Sequence, residues 1–264
     1  MSGSLRIGIV GGGGWLGGSI AASLLDAGLV QSHDLSLSYR TEQPNRLNAS
    51  FWTTDNQELA DRSDVIIVSV RPADWPPLMI DADGKLVISV MAGVRLGQLA
   101  EHHNTKRAVR SLPNAAAEVG KSYTPWIGSA DVTDQDRAMV RAIFDACGTE
   151  DEVASESDID YLTGLSGSGP AFPALLAAAM MNDAVARGLK PEIARRAVTT
   201  VLIGAGRLLE RRHECPTDTV EAFVSYRGTT AAAIETMRAA GFDAAVAGGL
   251  AAALQKSVSM GVLP

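Results

Sequence analysis

The chain has 264 residues and a formal net charge of -7, and 46% of its residues are hydrophobic. This length is sufficient for two hydrophobic cores, and a charged fraction of 20% excludes global disorder. An acidic chain without a basic block argues against nucleic acid as the main partner. No charged segment precedes the first apolar run, and the longest apolar stretch, near Ala174–Met181, is far shorter than the roughly 20 residues of a membrane span. We therefore expect a soluble, cytoplasmic protein with no membrane partner.

The cysteines and histidines do not form a metal-binding pattern. Cys147 and Cys215 are far apart, and neither belongs to a Cys-x-x-Cys pair, so a disulfide scaffold and a structural zinc site are not expected. None of the four histidines has the spacing of metal ligands. We expect no metal site and predict that the adjacent pair His102 and His103 lies on the surface.

The first half of the chain alternates strand and helix patterns. Strands are predicted at Leu5–Val10, Leu35–Tyr39, Asp64–Val70, Leu86–Val90 and Lys106–Arg110. Helical periodicity over Ser19–Leu29 separates the first two strands, and Asp64–Val70 is apolar except for Asp64 and Ser69, as is typical of a strand buried on both faces. Strands separated by helices indicate βαβ units. Residues 1–154 are therefore predicted to form a Rossmann-type domain with a doubly wound, parallel sheet.

A glycine-rich turn follows the first predicted strand and opens the first predicted helix. Its glycines fit the Gly-x-Gly-x-x-Gly pattern as Gly12, Gly14 and Gly17, or in a register that begins at Gly11 and places Leu16 third. In this context the pattern indicates a dinucleotide site, because the glycines let the backbone approach the pyrophosphate and the helix N-terminus offers free N–H groups. The predicted contacts with the cofactor are Gly12, Gly13, Gly14, Trp15 and Leu16.

The end of the second predicted strand indicates which dinucleotide binds. NAD sites usually place Asp or Glu there for the ribose hydroxyls, whereas this chain has Ser38-Tyr39-Arg40-Thr41. Arg40 offers a planar fork for a 2′-phosphate, and Ser38 can donate a hydrogen bond to it. We predict NADPH as the cofactor, with NADH as the alternative.

The second half, residues 155–264, lacks strand patterns and is rich in alanine. Helices are predicted at Ile159–Leu165, Ala171–Gly188, Pro191–Glu210, Thr217–Val224, Thr229–Ala240 and Ala244–Met260. Several are apolar on more than one face, so they must be covered on several sides. We expect an all-α domain that forms a homodimer or a higher homo-oligomer. The alternative is one compact helical domain docked on the sheet.

Segments from both halves carry a family resemblance. Ser166-Gly167-Ser168-Gly169-Pro170-Ala171-Phe172 and Ser225-Tyr226-Arg227-Gly228-Thr229-Thr230 lie in the second half. Thr54-Asp55-Asn56, Val70-Arg71-Pro72, Met91-Ala92-Gly93-Val94 and Arg110-Ser111-Leu112-Pro113-Asn114 lie in the first, in the same order as in the family. Over essentially its whole length, the chain resembles the pyrroline-5-carboxylate reductases.

The resemblance implies an activity and a set of site residues. The family reduces the cyclic imine 1-pyrroline-5-carboxylate to proline with NAD(P)H, a step of proline biosynthesis. By resemblance, Asn56 contacts the adenosine ribose. The further cofactor residues that it implies are Val70, Arg71, Pro72, Met91, Ala92, Gly93 and, with Pro113 at the nicotinamide end, Asn114. The substrate residues that it implies, contributed across the dimer, are Ser225, Gly228, Thr229 and Thr230, with Thr230 and Ser225 as the catalytic candidates.

Two features of the second half bear on the reaction. The related hydroxy-acid dehydrogenases place a lysine four residues after a Gly-Ser-Gly glycine, whereas Gly169 is followed at that distance by Pro173. The family's Pro-Gly within Ser-Pro-Gly-Gly-Thr-Thr is replaced here by Tyr226-Arg227. Arg227 therefore joins the candidate substrate residues, and two alternatives stay open: a reductase of a different cyclic imine acid, or a non-catalytic NADP-binding regulatory protein.

Overall fold

The computed structural model describes residues 4–212 and 215–261. The chain divides into two compact units, Met1–Ser168 with Ala253–Pro264 and Gly169–Ala252. An α/β sheet domain precedes an all-helical region, as the sequence predicts. The boundary between residues 154 and 155 remains a prediction; the division into compact units instead groups 155–168 and the end of the last helix with the sheet.

The first unit is built on an eight-stranded sheet. Its strands are β1 Ile7–Val10, β2 Leu35–Ser38, β3 Phe51–Thr53, β4 Val65–Val68, β5 Leu86–Ser89, β6 Arg107–Ser111, β7 Ser122–Gly128 and β8 Gly148–Glu152. Their spatial order is β3-β2-β1-β4-β5-β6-β7-β8. All residues of β1, β2, β4 and β5 are buried, with one hydrophobic cluster on each face of the sheet. The strand order reverses between β1 and β4, which places a ligand crevice beyond the carboxyl ends of these strands.

The sheet departs from the sequence prediction at its far edge. β1 to β6 pair in parallel, as the sequence predicts, but β7 runs antiparallel to β6, so the sheet is mostly rather than wholly parallel. Because β6 and β7 are antiparallel neighbours, the chain joins them without a crossover helix. β3, β7 and β8 were not predicted from the sequence: β3 has three residues, β7 contains Pro125, and β8 is acidic and mostly exposed.

Short helices cover the sheet of the first unit. They are α1 Trp15–Asp26, α2 Asn56–Asp61, α3 Leu96–His102, α4 Asp134–Asp145 and α5 Glu156–Leu162. A π-helical turn, Thr163–Gly167, follows α5 where the sequence predicts a continuing α-helix. Such turns are rare and often lie near functional sites.

The second unit consists of helices. They are α6 Ala171–Ala186, α7 Pro191–Arg212, α8 Pro216–Ser225, α9 Thr229–Ala239 and α10 Phe242–Met260, the last of which ends in the first unit. Large apolar side chains stay uncovered in this unit, among them Leu175, 72% exposed, and Ile203, 62% exposed. Exposed apolar surface of this kind marks an interaction face, in keeping with the predicted oligomer.

A buried ion-pair cluster ties α5 and α10 to the sheet within the first unit. Arg110 on β6, 1% exposed, pairs with Asp160 on α5 and with Glu156 at 3.1 Å. Arg95 reaches the other Asp160 oxygen at 3.0 Å, and the Ser257 hydroxyl of α10 lies 3.5 Å from this carboxylate. Because a buried carboxylate requires partners, these contacts hold the Ser257 end of α10 near α5 and β6.

The prediction of a surface histidine pair is wrong for His103, which is 1% exposed. The buried Trp75 indole N–H donates to its Nε2 at 2.9 Å. The ring is therefore a neutral acceptor in the folded protein, and burial, followed by the neighbouring His102, lowers the pKa of His103 to about 4. Trp75 directly follows the turn Pro72–Asp74, so this contact fixes a loop beyond β4 to the core.

We expect a loss of stability on acidification that depends on His103. The unfolded-state pKa is 6.5 and the folded-state pKa about 4, so between these values the unfolded chain binds a proton that the folded chain does not. The free energy of unfolding should fall as the pH drops from 6.5 to 4, by roughly 3 kcal/mol from this group. Urea unfolding across this range tests it. His103→Gln removes the titration and should flatten the pH profile; the same slope in both proteins contradicts the prediction.

Candidate functional site

An open cleft of about 940 Å³ lies beyond the carboxyl ends of β1, β2, β4 and β5 in the first unit. Its walls are the glycine-rich turn and the loops after these strands. The lining residues are Val10, Gly11, Gly13, Gly14, Trp15, Leu16, Ser38, Tyr39, Arg40, Thr41, Glu42, Thr54, Asn56, Ser69, Val70, Arg71, Pro72, Ala73, Asp74, Pro77, Leu78, Val90, Met91 and Ala92. The position at the reversal of strand order is the one where doubly wound sheets bind nucleotides.

The glycines of the turn are required by close backbone approach. Gly11 has a φ of 79°, and a Cβ there would lie 2.4 Å from the carbonyl oxygen of Ser69. A Cβ at Gly17 would lie 2.6 Å from the carbonyl oxygen of Gly11. Gly12 is buried and packs against Leu37. The tight turn thus falls on Gly11, in the register that begins at that residue.

Helix α1 begins at the cleft, where the Glu118 carboxylate accepts a hydrogen bond from the Trp15 indole N–H at 3.1 Å. Its N-cap is Gly14, and among the described residues no side chain caps it. The first turn, Trp15-Leu16-Gly17, carries no acidic residue, while Trp15 and Leu16 line the cleft. Uncapped N–H groups at a helix N-terminus favour a phosphate.

The last residue of β2 supports the glycine-rich turn, and the residues that follow it reach the rim of the cleft. Ser38 is 3% exposed, and its hydroxyl oxygen accepts from the Gly11 N–H at 3.1 Å, so this side chain holds the turn in place. Arg40 is exposed and forms an ion pair with Asp74 at 3.2 Å. Arg71, from the loop after β4, donates to the second Asp74 oxygen at 2.8 Å. The hydrogen bond from Arg71, with Arg40 adding to it, lowers the pKa of the Asp74 carboxyl.

Twelve of the fifteen residues predicted to contact a cofactor line this cleft. The three others lie elsewhere in the first unit. Gly12 lies beneath the turn, and Gly93, with a φ of 82°, approaches the Met260 backbone so closely that a Cβ would come within 2.9 Å of it. Asn114 caps the turn Ala115–Val119 and donates to the Ser166 carbonyl oxygen at 3.0 Å. Contact of these three residues with a cofactor stays a prediction.

The predicted substrate residues lie at the junction of α8 and α9, in the second unit. Ser225 ends α8, and its hydroxyl donates to the Ala222 carbonyl oxygen at 2.8 Å. Arg227 has a φ of 50°, the left-handed region that glycine adopts most readily. Gly228 is the N-cap of α9, where no side chain of the described residues serves as a cap. Thr229 and Thr230 occupy the exposed first turn of α9, whose N–H groups can receive a carboxylate.

Comparison with known proteins gives two family matches along the chain. A family model described as pyrroline-5-carboxylate reductase dimerisation matches residues 156–260. A model described as NADP oxidoreductase, coenzyme F420-dependent, matches residues 6–93. The two matches cover the helical region and the part of the sheet that bears the cleft.

Individual relatives align over the length of the chain. A pyrroline-5-carboxylate reductase of Mycobacterium tuberculosis is 31% identical over 296 aligned positions, which cover 99% of both chains. One from Synechocystis sp. is 32% identical over 211 residues, 78% of this chain and 79% of the relative. The chain belongs to the pyrroline-5-carboxylate reductase family. It is an NAD(P)-dependent oxidoreductase of that type.

A solved structure of the same family has the same fold. The crystal structure of pyrroline carboxylate reductase from Plasmodium falciparum, with NADP bound, superposes on this reductase with a TM-score of 0.84 at 25% identity, covering 98% of each chain. The dimerisation match over residues 156–260 supports a homo-oligomer.

Two further properties concern metals and membranes. Within residues 4–212 and 215–261, no group of three or more His, Cys, Asp or Glu side chains is arranged to hold a metal ion. No single helix in these ranges has the length and apolarity of a membrane span, although α9 and α10, bent by 53° at their junction, pass that test as a pair.

Several residues of the cleft were missed by sequence reasoning. Asp74 is the most consequential, because it contacts both Arg40 and Arg71. The spacing of Arg71 and Asp74, three residues apart, is typical of a side-chain pair on one helical turn and was an available signal. Tyr39, within the Ser38–Thr41 segment considered above, and Glu42, directly after it, line the same cleft.

Proposed function

We propose that this reductase converts 1-pyrroline-5-carboxylate to L-proline with NADPH, as a homodimer in the cytoplasm. The observation that carries the proposal is the relationship to pyrroline-5-carboxylate reductases over 99% of both chains, which includes both the cleft and the α8–α9 junction. The cytoplasmic location and the dimeric state rest on the sequence prediction and on the dimerisation match.

The cleft fits NADPH by its own geometry. A Cβ at Gly11 would clash with the Ser69 carbonyl oxygen. The glycine therefore lets the backbone of the turn come close to a pyrophosphate bound at the uncapped N-terminus of α1. At the rim, Arg40 occupies the position where NAD sites usually carry an acid, and its charge favours a 2′-phosphate. The NADP-bound relative from Plasmodium falciparum supports the same cofactor.

NADPH supplies the hydride when it is bound. The task of the chain is to hold the imine carbon near that hydride, a proximity effect that lowers the entropic barrier. The first-turn N–H groups of α9 and the Thr229 hydroxyl would bind the substrate carboxylate. Backbone binding of this kind would fix the ring near the first turn of α9, which also carries Thr230.

Protonation of the imine nitrogen does not require a strong acid from the protein. A cyclic imine is basic enough to arrive partly protonated, so a hydroxyl suffices to orient or relay the proton to the ring nitrogen. Thr230 is the proposed relay. The Ser225 hydroxyl hydrogen is engaged by the Ala222 carbonyl oxygen, so Ser225 is assigned the role of an acceptor. Pro173, where the hydroxy-acid dehydrogenases place a lysine, agrees with an imine rather than a ketone substrate.

Steady-state kinetics on a panel of cyclic imine carboxylates test the proposal. The purified protein should oxidise NADPH with the highest kcat/KM for 1-pyrroline-5-carboxylate, with proline identified as product and with a lower KM for NADPH than for NADH. Preference for a six-membered imine acid would support the alternative substrate. Tight NADPH binding without turnover on any imine would support the regulatory alternative.

Arg227 is the position at which the alternative substrate can be tested. Its backbone already adopts the left-handed conformation that glycine would take, and its side chain is exposed. We therefore expect Arg227→Gly to stabilise the protein by up to about 1 kcal/mol and to change kcat/KM for 1-pyrroline-5-carboxylate less than about threefold. Thermal unfolding and the kinetic assay provide the two measurements.

Arg227→Ala separates the charge from the backbone effect. It removes the guanidinium but keeps a Cβ in the left-handed conformation, so it should not stabilise the protein. If either variant raises activity on 1-pyrroline-5-carboxylate more than about tenfold, Arg227 obstructs this substrate, and a different imine acid becomes the better assignment.

A further inference from the structure

Three charged side chains converge on the rim of the cleft in the first unit. Asp74 lies between two guanidiniums: Arg40 Nη1 is 3.2 Å from its Oδ1, and Arg71 Nε is 2.8 Å from its Oδ2. The two arginines come from different loops, after β2 and after β4, and all three residues line the cleft. Each oxygen of the Asp74 carboxylate contacts a different arginine. This part of the rim therefore holds an anion between two cations.

The Asp74 carboxylate is weakly held, whereas its backbone is fixed. The side chains of Arg40 and Arg71 are 71% and 74% exposed, and that of Asp74 is 35% exposed. Ion pairs with such exposure contribute little to stability, so another anion can replace the carboxylate. The backbone of the turn is held by the next residue, Trp75, which is buried and hydrogen-bonded to His103. The turn therefore presents Arg71 from a constant position.

We propose that Arg71 and Arg40 together form the clamp for the cofactor's 2′-phosphate and that Asp74 is a built-in counter-ion that the phosphate displaces. This inference rests on the proposed use of NADPH. A phosphate carries more charge than a carboxylate and presents three acceptor oxygens to the two guanidinium forks. NADH lacks this phosphate and leaves the ion pairs in place, so Asp74 weakens NADPH binding while leaving NADH binding unchanged.

Binding of two adenosine fragments to the full-length protein tests the clamp without any turnover. The probes are adenosine 2′,5′-bisphosphate and 5′-AMP, which differ by the 2′-phosphate, measured by isothermal titration calorimetry at fixed ionic strength. Asp74→Asn should tighten the bisphosphate about three- to tenfold because a competing anion is removed, and should leave 5′-AMP within about twofold. Asp131→Asn is the matched control, since Asp131 is exposed, lies outside the cleft and changes the net charge equally.

Substitution of either arginine should have the opposite effect on binding of the bisphosphate. Arg71→Gln and Arg40→Gln should each weaken the bisphosphate about tenfold or more, with little change in 5′-AMP. The clamp is overturned if Asp74→Asn weakens the bisphosphate, or if Arg71→Gln affects both probes equally. If the unaltered protein does not prefer the bisphosphate to 5′-AMP, the proposed NADPH function fails together with the clamp. If the unaltered protein prefers the bisphosphate but substitutions of Arg71 and Asp74 leave its affinity unchanged, only the clamp proposal fails.

Discussion

Gly11→Ala should lower kcat/KM for NADPH about 100-fold. The new methyl group would lie 2.4 Å from the Ser69 carbonyl oxygen, an approach that the backbone of β4's loop cannot relieve without moving the turn. The residue also has a φ of 79°, which disfavours any L side chain. A shift of about 1 Å in the start of α1 is sufficient for a loss of this size.

Gly28→Ala is the matched control for this experiment. Gly28 has a similar φ of 67°, but among the described residues no atom lies within 4 Å of a Cβ at this position. Both variants should lose about 1 kcal/mol of stability from backbone strain, and only Gly11→Ala should lose cofactor binding. NADPH fluorescence titration and urea unfolding separate the two effects. Unchanged NADPH affinity in Gly11→Ala would contradict the role assigned to the turn.

Asp160→Ala should lower the free energy of unfolding by about 3 kcal/mol. The substitution leaves Arg110, 1% exposed, with the partly exposed Glu156 as its one remaining carboxylate partner within residues 4–212 and 215–261. A buried cation that loses a partner bears its desolvation cost without full compensation. The variant should also free Ser257, and with it the end of α10, from its contact with α5.

Asp183→Ala is the comparison for an exposed pair. Asp183 on α6 and Arg187, the C-cap of α6, are four positions apart. The Arg187 Nε lies 2.8 Å from the Asp183 Oδ2, and the side chains of Asp183 and Arg187 are 65% and 74% exposed. Removing this solvent-screened pair should lower the free energy of unfolding far less than Asp160→Ala does. Urea unfolding of both variants at one protein concentration keeps any contribution of oligomerisation constant. Equal losses in the two variants would show that burial of Arg110 does not set the cost.

The elements that sequence reasoning found are those specified by local pattern. The strands β1, β4 and β5 are short, mostly apolar runs, as is typical of strands buried on both faces. The glycine-rich turn is recognisable because a strand precedes it and a helix follows it. The bounds of α6 and α9 were predicted to within two residues because caps and periodicity are local properties.

The elements that it missed depend on partners far away in the chain. β8 is acidic and mostly exposed at the edge of the sheet, and only pairing with β7 makes it a strand. The burial of His103 follows from the position of Trp75, 28 residues earlier. Neither a residue's own type nor its neighbours in sequence carry that information.

The sequence by itself determined the class of this protein: a Rossmann-type reductase of the pyrroline-5-carboxylate reductase family with a helical dimerisation domain. Only the tertiary structure decided which glycine makes the tight turn, because the approach of the Ser69 carbonyl oxygen selects Gly11. It also decided that Arg40 shares a carboxylate with Arg71, since two residues 31 positions apart in the chain meet at one rim of the cleft. Local pattern specifies what each segment becomes, and long-range packing specifies which side chains meet.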